Sequence, residues 1–234
     1  SMLSVFVQCP LFQGVSEEEL TAVLPCLKTR RVSYKKSETI FLEGQPVQDI
    51  GIVLSGEVHV IKEDYEGRRS VITSAQAGEL FGEAFACAGV HQIPVSVVTA
   101  ADSEIAFISL THVLTSCSNA CQFHSRIIQN LLRMIAEKNL CLNQKIDFMS
   151  QKTTKEKLLS YLFAQAKQMG SCDFSIPFDR QALADYLGVE RSAMSAELSK
   201  LRREGKIDYY KNHFRLLQPS SSFKSSSGVD TGRI

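Results

Sequence analysis

The chain has 234 residues, a formal net charge of +1 and 44% hydrophobic residues, enough apolar material for one large or two ordinary globular domains. No apolar run approaches the roughly 18 residues that a membrane-spanning helix needs, so we expect no membrane partner. The N-terminus shows no signal-peptide pattern, and we therefore expect a cytoplasmic protein.

Charge is distributed unevenly along the chain. Residues 1–120 carry 8 Lys and Arg against 14 Asp and Glu, whereas the remainder carries 18 against 11. An acidic segment followed by a basic one is typical of a sensor joined to a nucleic-acid binder. Chance scatter of surface charge is the alternative.

The cysteine pattern indicates reduced thiols. There are seven cysteines, an odd number, and no Cys-x-x-Cys occurs. Cys117 and Cys121 are close enough to share a helix face, but two thiols do not complete a zinc or iron–sulfur site. His59 and His91 lack neighbours that would indicate haem binding. We expect no metal, iron–sulfur or haem cofactor.

The first half of the chain predicts a short helix followed by many β-strands. Ser16 and Glu19 form a capping-box pattern that opens the helix. From Arg30 to Ser109, short β-rich runs alternate with turn signals, which favours a sandwich or barrel. The candidate strands are Thr39–Leu42, Gly51–Leu54, Glu57–Lys62, Ser70–Thr73, Val95–Thr99 and Ile105–Ile108.

A long helix without Pro or Gly is predicted over Gln122–Phe148. Such a helix would extend beyond a compact barrel, so its apolar stripe needs a partner, for which a second copy in a twofold dimer is the economical choice. Packing on its own domain is the alternative. The residues predicted to form the dimer interface are Phe123, Ile127, Leu131, Met134 and Ile135.

The C-terminal part predicts a helix-turn-helix. Thr153 and Glu156 form a second capping box, which opens a helix to Met169. Asp179 is a candidate N-cap for the next helix, and Gly188 is placed to end that helix. A further helix, capped by Glu190 or Ser192, runs to about Glu204. Its buried face is predicted from Met194, Leu198 and Leu201.

The exposed face of the last helix suits a DNA major groove. It combines one long donor, Arg191, with the short side chains of Ser192, Ser195 and Ala196. Between Leu198 and Arg215 six basic residues stand against two acids, and period-two alternation around Lys211-Asn212 predicts a hairpin wing. The alternative is an ordinary helical domain with a solvated basic face. The basic residues are Lys200, Arg202, Arg203, Lys206, Lys211 and Arg215.

Four runs follow one another along the chain: Phe41-Leu42-Glu43-Gly44, Leu54-Ser55-Gly56-Glu57-Val58, Gly78-Glu79-Leu80-Phe81-Gly82-Glu83 and the helix-turn-helix run from Arg180 to Ile207. In this order they resemble the CRP/FNR family of bacterial transcription regulators. The resemblance implies an α+β fold with an N-terminal double-stranded β-helix (jelly-roll-like) barrel, a long dimerisation helix and a C-terminal winged helix-turn-helix. The implied boundaries are 1–120, 121–150 and 151–218, with a disordered tail over 219–234.

The resemblance implies an effector pocket that is only partly retained. Gly82 and Glu83 match the segment whose Glu meets the ribose in cyclic-AMP-binding members. The Arg-Ser pair that clamps the cyclic phosphate aligns with Ile93-Pro94, and neither residue supplies such a clamp. The dimer-helix pair that meets adenine aligns with Leu142-Asn143. We expect an unknown small-molecule effector other than cyclic AMP.

The resulting prediction is a homodimeric, sequence-specific transcription regulator, not an enzyme, that binds an inverted repeat in double-stranded DNA, with RNA polymerase as a further candidate partner. The alternative is a ligand-binding sensor that acts through protein partners, with the winged helix as a docking module. No catalytic motif is present. Base-edge contacts are predicted for Arg191, Ser192 and Ser195, and phosphate contacts for Arg180, Gln181, Lys211 and Lys200 or Arg202.

Overall fold

The computed structural model describes residues 2–115 and 122–217. The chain forms two compact units that divide between Lys138 and Asn139, inside one long helix. The predicted tail, residues 219–234, and the Cys117–Cys121 spacing lie outside the described residues.

The N-terminal unit contains eight described strands in two four-stranded antiparallel sheets. The first sheet has the order β1-β8-β3-β6, and the second has the order β2-β7-β4-β5. All six predicted strands are confirmed, whereas β1 and the two-residue β6 were not individually predicted. The strands are β1 (Arg30–Tyr34), β2 (Thr39–Phe41), β3 (Asp49–Ser55), β4 (Glu57–Glu63), β5 (Arg69–Gln76), β6 (Leu80–Phe81), β7 (Ser96–Thr99) and β8 (Ser103–Ser109).

The two sheets form a sandwich and do not close into one hydrogen-bonded barrel among the described residues. Side chains from both sheets share one apolar cluster, in which Val53 and Phe107 of the first sheet lie with Val58 and Val97 of the second. Alternate residues of each strand supply this cluster, as the period of a strand requires. The sandwich supplies part of the wall of a cavity described below.

Among the described residues, five helices accompany the sandwich, the last of which continues into the C-terminal unit, together with a short 3-10 turn at Pro10–Phe12. The predicted capping box of the second helix is confirmed, because the Ser16 and Glu19 side chains each accept a hydrogen bond from the other residue's backbone N–H. The helices are α1 (Met2–Gln8), α2 (Glu17–Cys26), α3 (Glu83–Ala88), α4 (Leu110–Leu114) and α5 (Gln122–Ser150).

Helix α5 packs on its own unit through the stripe that was predicted to face a second copy. Ile127 is 0% exposed and Leu131 is 4% exposed, and both belong to the core that includes Phe12 and Leu20. The dimer prediction is therefore wrong for these two residues, since a side chain enclosed by its own core cannot reach a symmetry mate. Phe123, Met134 and Ile135 are half-buried against the same core.

Among the described residues, the C-terminal unit contains the second half of α5, three further helices and a three-stranded sheet of order β10-β11-β9. The predicted capping box of α6 is present, and Gly170 ends that helix in the left-handed region at φ 64°. The predicted hairpin pairs Ile207 with Leu216 and Tyr210 with His213. The elements are α6 (Thr154–Met169), β9 (Asp173–Ser175), α7 (Arg180–Leu187), α8 (Arg191–Arg203), β10 (Ile207–Tyr210) and β11 (His213–Leu216).

Candidate nucleic-acid interface and effector cavity

Local contacts define both ends of helix α7, as the sequence predicts, whereas helix α8 begins without a side-chain cap. The Asp179 carboxylate accepts a hydrogen bond from the Ala182 backbone N–H at 2.8 Å, and Gly188 ends α7 at φ 65°. Glu190 stands at the N-cap of α8, but no side chain caps that helix. Met194, Leu198 and Leu201 are buried, so the opposite face of α8 is exposed.

The exposed face of α8 is longer than predicted. Ser192, Ala196 and Arg203 are exposed and, with Ser199, recur at intervals of four, three and four residues, which places them on one side of a helix. Ser195 lies at the edge of this face and is half-buried. The place of Arg203 on this face was not predicted, although the same spacing in the sequence indicates it.

A cleft of about 570 Å³ lies between the start of α7, the start of α8 and the tip of the wing. It brings together four of the predicted DNA-binding residues, Arg180, Gln181, Arg191 and Lys211. None of the three basic residues forms an ion pair with any described residue, so their charges remain available to an anion. Pro177, Phe178, Asp179 and Asn212 complete the lining.

Arg180 is fixed in this cleft by aromatic rings. Its guanidinium lies 4.9 Å from the ring centroid of Tyr209 and 5.2 Å from that of Phe214. Burial lowers the pKa of Arg180 from its ordinary value, with the nearby Arg202 charge acting in the same direction, yet a guanidinium stays charged at neutral pH. Its Nη1 is buried without a hydrogen-bond partner among the described residues.

Lys211 sits at the turn of the wing with φ 53°, in the left-handed region. A side chain with a Cβ is disfavoured there by roughly 1–2 kcal/mol, and glycine is the usual residue. The ammonium lies 5.5 Å from the Tyr210 ring centroid. A strained turn that retains lysine is consistent with a functional use of the cation.

Arg202 does not fit its predicted phosphate-binding role. Its Nε lies 3.0 Å from Asp208 Oδ1, its guanidinium lies 3.7 Å from the Tyr209 ring centroid, and its Nη2 donates to the Tyr209 carbonyl. These contacts attach the end of α8 to the wing. Lys200, the other candidate, is exposed and forms no ion pair within the described part of the chain.

Two further basic residues of the predicted cluster are also neutralised by acids. Lys206 lies 3.0 Å from Glu204, and Arg215 lies 2.6 Å from Asp173. Arg215, and after it His213, hold the pKa of Asp173 below its ordinary value. The local excess of basic residues is therefore smaller at the surface than in the sequence.

The N-terminal unit contains a second cavity, of about 540 Å³, which we call the effector cavity. Gly82 and Glu83 line it, as predicted. Gly82 has φ 76°, and a Cβ there would lie 2.9 Å from the Phe41 ring, so both backbone angle and space favour glycine. The other lining residues are Pro10, Val60, Ile72, Thr73, Ser74, Ala75, Gly78, Glu79, Leu80, Phe81, Ala84, Phe85, Val95, Met134 and Lys138.

Four of the six predicted pocket residues do not line this cavity. Ile93 is 1% exposed and belongs to the apolar core, where its backbone pairs with the Gly44–Gln45 turn. Pro94 is exposed to solvent. Leu142 and Asn143 are exposed on α5. An alignment position does not specify which way a side chain points, and Val95, two residues after Ile93, is the neighbour that faces the cavity.

The cavity contains a cation that sequence analysis did not find. Lys138 of α5 forms an ion pair with Glu83 at the start of α3. The Glu83 side chain is 6% exposed, whereas that of Lys138 is 57% exposed. The two residues are 55 positions apart, so no local pattern could have joined them.

Part of α5 presents an apolar stripe that the described residues of the chain leave exposed. Leu132, Leu142 and Ile146 are 63%, 60% and 64% exposed. They share a helix face with half-buried Ile128 and Ile135, and Asn139 interrupts the stripe. The spacing along these six positions alternates between four and three residues, which is the heptad pattern of a coiled coil.

No group of three or more His, Cys, Asp or Glu side chains is placed to hold a metal ion within residues 2–115 and 122–217. Over the same described ranges, no helix combines the length and apolar character needed to cross a bilayer.

Comparison with known proteins matches both units to established families. Residues 31–119 match the model of the cyclic nucleotide-binding domain, and residues 156–221 match the Crp-like helix-turn-helix domain. The nitrogen fixation regulation protein FixK of Bradyrhizobium diazoefficiens is 28% identical over 203 residues, 82% of this chain and 79% of FixK. The transcriptional activator protein FnrL of Cereibacter sphaeroides is 25% identical over 206 residues, 82% of this chain and 77% of FnrL.

A solved structure agrees at the level of the fold. The catabolite activator protein of Thermus thermophilus matches with a TM-score of 0.51 at 21% identity, over 92% of this chain and 96% of that one. The two matched models together cover more than half of the 234 residues, and the relatives are regulators. The chain belongs to the CRP/FNR family and is a DNA-binding transcription regulator.

Proposed function

We propose that this regulator works as a homodimer on an inverted DNA repeat and responds to an effector other than cyclic AMP. The observation that carries the DNA part is the cleft in which Arg180, Arg191 and Lys211 converge without ion-pair partners among the described residues. DNA phosphates are recognised by such charges, and base edges by the adjoining face of α8.

The proposed roles follow the geometry of the C-terminal unit. Arg191 and Ser192, at the start of α8, read base edges, with Ser195 at the margin of the readout face. Arg180, Gln181 and Lys211 hold phosphates, and Lys200 adds a backbone contact. Ser199 and Arg203 lie on the same exposed face of α8 and are proposed to add further contacts with DNA.

Self-association is proposed to use the uncovered stripe of α5. An exposed heptad pattern gains most by pairing with an identical helix, because each apolar side chain then packs into its copy. This interface replaces the predicted one at Ile127 and Leu131, whereas half-buried Ile135 remains in it.

Leu142→Lys tests the interface. Leu142 is 60% exposed, so the lysine leaves the fold intact but weakens self-association about tenfold or more in analytical ultracentrifugation. Ile127→Lys is the matched comparison: Ile127 is fully buried, so that variant loses its folded structure. An undisturbed dimer in Leu142→Lys places the interface elsewhere.

Footprinting on promoter DNA tests the binding mode. A twofold dimer presents two copies of α8, so we expect protection of two half-sites about one helical turn apart. Protection of a single half-site without twofold symmetry contradicts the dimer. Binding to protein partners without any affinity for DNA at physiological salt contradicts the whole proposal.

The effector cavity is not arranged for a cyclic nucleotide phosphate. Its ammonium, Lys138, is already paired with Glu83, and a second carboxylate, Glu79, lines the same cavity. A phosphate entering it would have to compete with Glu83 for one cation. Isothermal titration with cyclic AMP and cyclic GMP should show no binding at physiological concentration, and a low-micromolar dissociation constant contradicts this.

The proposal assigns no catalytic step and requires neither haem nor an iron–sulfur cluster. Binding and a change of shape suffice for a regulator of this kind. We propose that it acts on cytoplasmic DNA, where RNA polymerase is the natural partner of a bound transcription regulator.

A further inference from the structure

The ion pair in the effector cavity is unequal in burial. Glu83 as a whole residue is 5% exposed, whereas more than half of the Lys138 side chain is in contact with solvent. Moving Lys138 into water costs less than moving Glu83 would, because more than half of the Lys138 side chain is already exposed to solvent. Moving Lys138 away also leaves a buried carboxylate in need of a donor, so whatever displaces it must offer one.

The charges of the lining favour a cation over an anion. Of the described residues that line the cavity, Glu79 and Glu83 are acidic and Lys138 is basic. An anionic ligand would bring a third negative charge against one ammonium. A cationic ligand on Glu83 exchanges one cation for another, and the displaced lysine returns to solvent.

The remaining wall requires an apolar body on the ligand. Apolar side chains from both sheets, α3 and α5 supply most of it. They are Val60, Ile72, Ala75, Leu80, Phe81, Ala84, Phe85, Val95 and Met134. Such a wall gains free energy by contact with hydrocarbon, and the polar side chains that remain in the described lining are Thr73, Ser74 and Glu79.

We propose that the effector cavity binds an amphipathic organic cation, with its protonated amine on Glu83 in place of Lys138 and its apolar body against the wall. The inference rests on the proposed effector function of this unit. Because Lys138 belongs to α5 and Glu83 to α3, ligand and helix compete for one carboxylate. Occupancy therefore releases a contact between α3 and α5, and removal of Lys138 strengthens ligand binding by the same coupling.

Three probes of equal chain length test the head group: n-hexylamine, 1-hexanol and hexanoate, titrated calorimetrically into the full chain near neutral pH. We expect hexylamine to bind at least about tenfold more tightly than hexanoate, with hexanol between them. Lys138→Met should raise the affinity for hexylamine about tenfold, since the internal competitor is gone. Lys138→Arg, which retains a competing cation, should show no such gain.

Glu83→Gln should abolish the advantage of hexylamine over hexanol, with circular dichroism confirming that the variant is folded. Hexanoate binding as tightly as hexylamine, no gain in Lys138→Met, or no binding of any probe overturns the inference. The same preparations are titrated with duplex DNA. If the three probes do not bind in the expected order but DNA binding is intact, only the proposed ligand class is wrong. If the protein does not bind DNA, the proposed function is wrong.

Discussion

The two cavities of this protein have similar volumes, about 570 and 540 Å³, but treat their cations in opposite ways. In the cleft of the C-terminal unit, Arg180, Arg191 and Lys211 have no acidic partner among the described residues. In the effector cavity, the single ammonium of the described lining is neutralised by Glu83. A site for a polyanion keeps its charges unpaired, and the count of basic residues alone does not distinguish the two arrangements.

The largest expected effect concerns the cleft of the C-terminal unit, where the basic residues have no acidic partner among the described residues. Arg191→Ala should weaken binding to the specific inverted repeat by roughly 1–3 kcal/mol and relax base preference, because a long donor at the start of α8 is lost. Gel-shift titrations on specific and scrambled duplexes measure this. Lys167→Ala, which removes an equal charge from α6, is the control, and an equal loss there contradicts the assignment.

One substitution can turn the paired cation of the effector cavity into an unpaired one. Glu83→Gln leaves Lys138 without its carboxylate, so the cavity should bind inorganic phosphate about tenfold more tightly than the wild type does. Calorimetric titration measures the gain. Glu79→Gln removes a charge from the same lining but spares the ion pair, and we expect little gain from it. Equal gains in both variants would show that general charge, not pairing, governs the cavity.

Arg202 and Arg203 are consecutive in the chain, but we expect the first to stabilise the fold and the second to contact DNA. Arg202→Ala should lower the free energy of unfolding by about 1–2 kcal/mol, because a cation–π contact and an ion pair are lost together. Arg203→Ala should leave stability unchanged and weaken DNA binding. Chemical denaturation and gel shifts distinguish them, and interchanged results would reverse the two roles.

Substitution of Lys211, at the turn of the wing, tests a single phosphate contact. Lys211→Ala and Lys211→Gly should weaken binding to all sequences alike and flatten the dependence of log affinity on log salt by about one unit. The glycine variant should be the more stable, by up to about 1 kcal/mol, because φ 53° no longer strains the backbone. Unequal losses of DNA affinity would indicate that turn shape, not charge, matters.

The smallest expected effect comes from an acid that neutralises a cation of the wing. Arg215 and His213 lower the pKa of Asp173 below 3.8, so its contribution to stability is present at neutral pH and is lost as the pH falls through that lowered value. Asp173→Asn should slightly lower the melting temperature at pH 7. The difference from wild type should shrink as the pH falls below about 4 and vanish only below the lowered pKa of Asp173. A difference that grew on acidification would contradict this origin.

Local signals in the sequence were sufficient for much of the fold. The capping boxes at Ser16 and Thr153 and the glycine at 188 set helix ends through contacts within a few residues, and the structure confirms them. The same holds for the wing, whose two strands flank a two-residue turn. Such features need no knowledge of distant parts of the chain.

Features that depend on distant contacts were not predictable. The first half of α5 is apolar on two faces, and only its packing into a core of residues distant in sequence, such as Phe12 and Leu20, decides that Ile127 is enclosed. The cavity ion pair joins Glu83 to a residue on a different element. Arg202 and Arg203 have the same chemistry, and the position of the wing determines which one is engaged.

The asparagine in the uncovered stripe of α5 has a consequence for partner choice. In the proposed pairing, Asn139 meets its own copy, and the two amides satisfy each other inside an otherwise apolar seam. A slip by one heptad would place each amide against Leu132 or Ile146, where it finds no partner. In a cell that holds several related regulators with similar helices, this one position favours pairing with an identical chain. A mixed dimer whose asparagines do not coincide is destabilised by the unpaired amides.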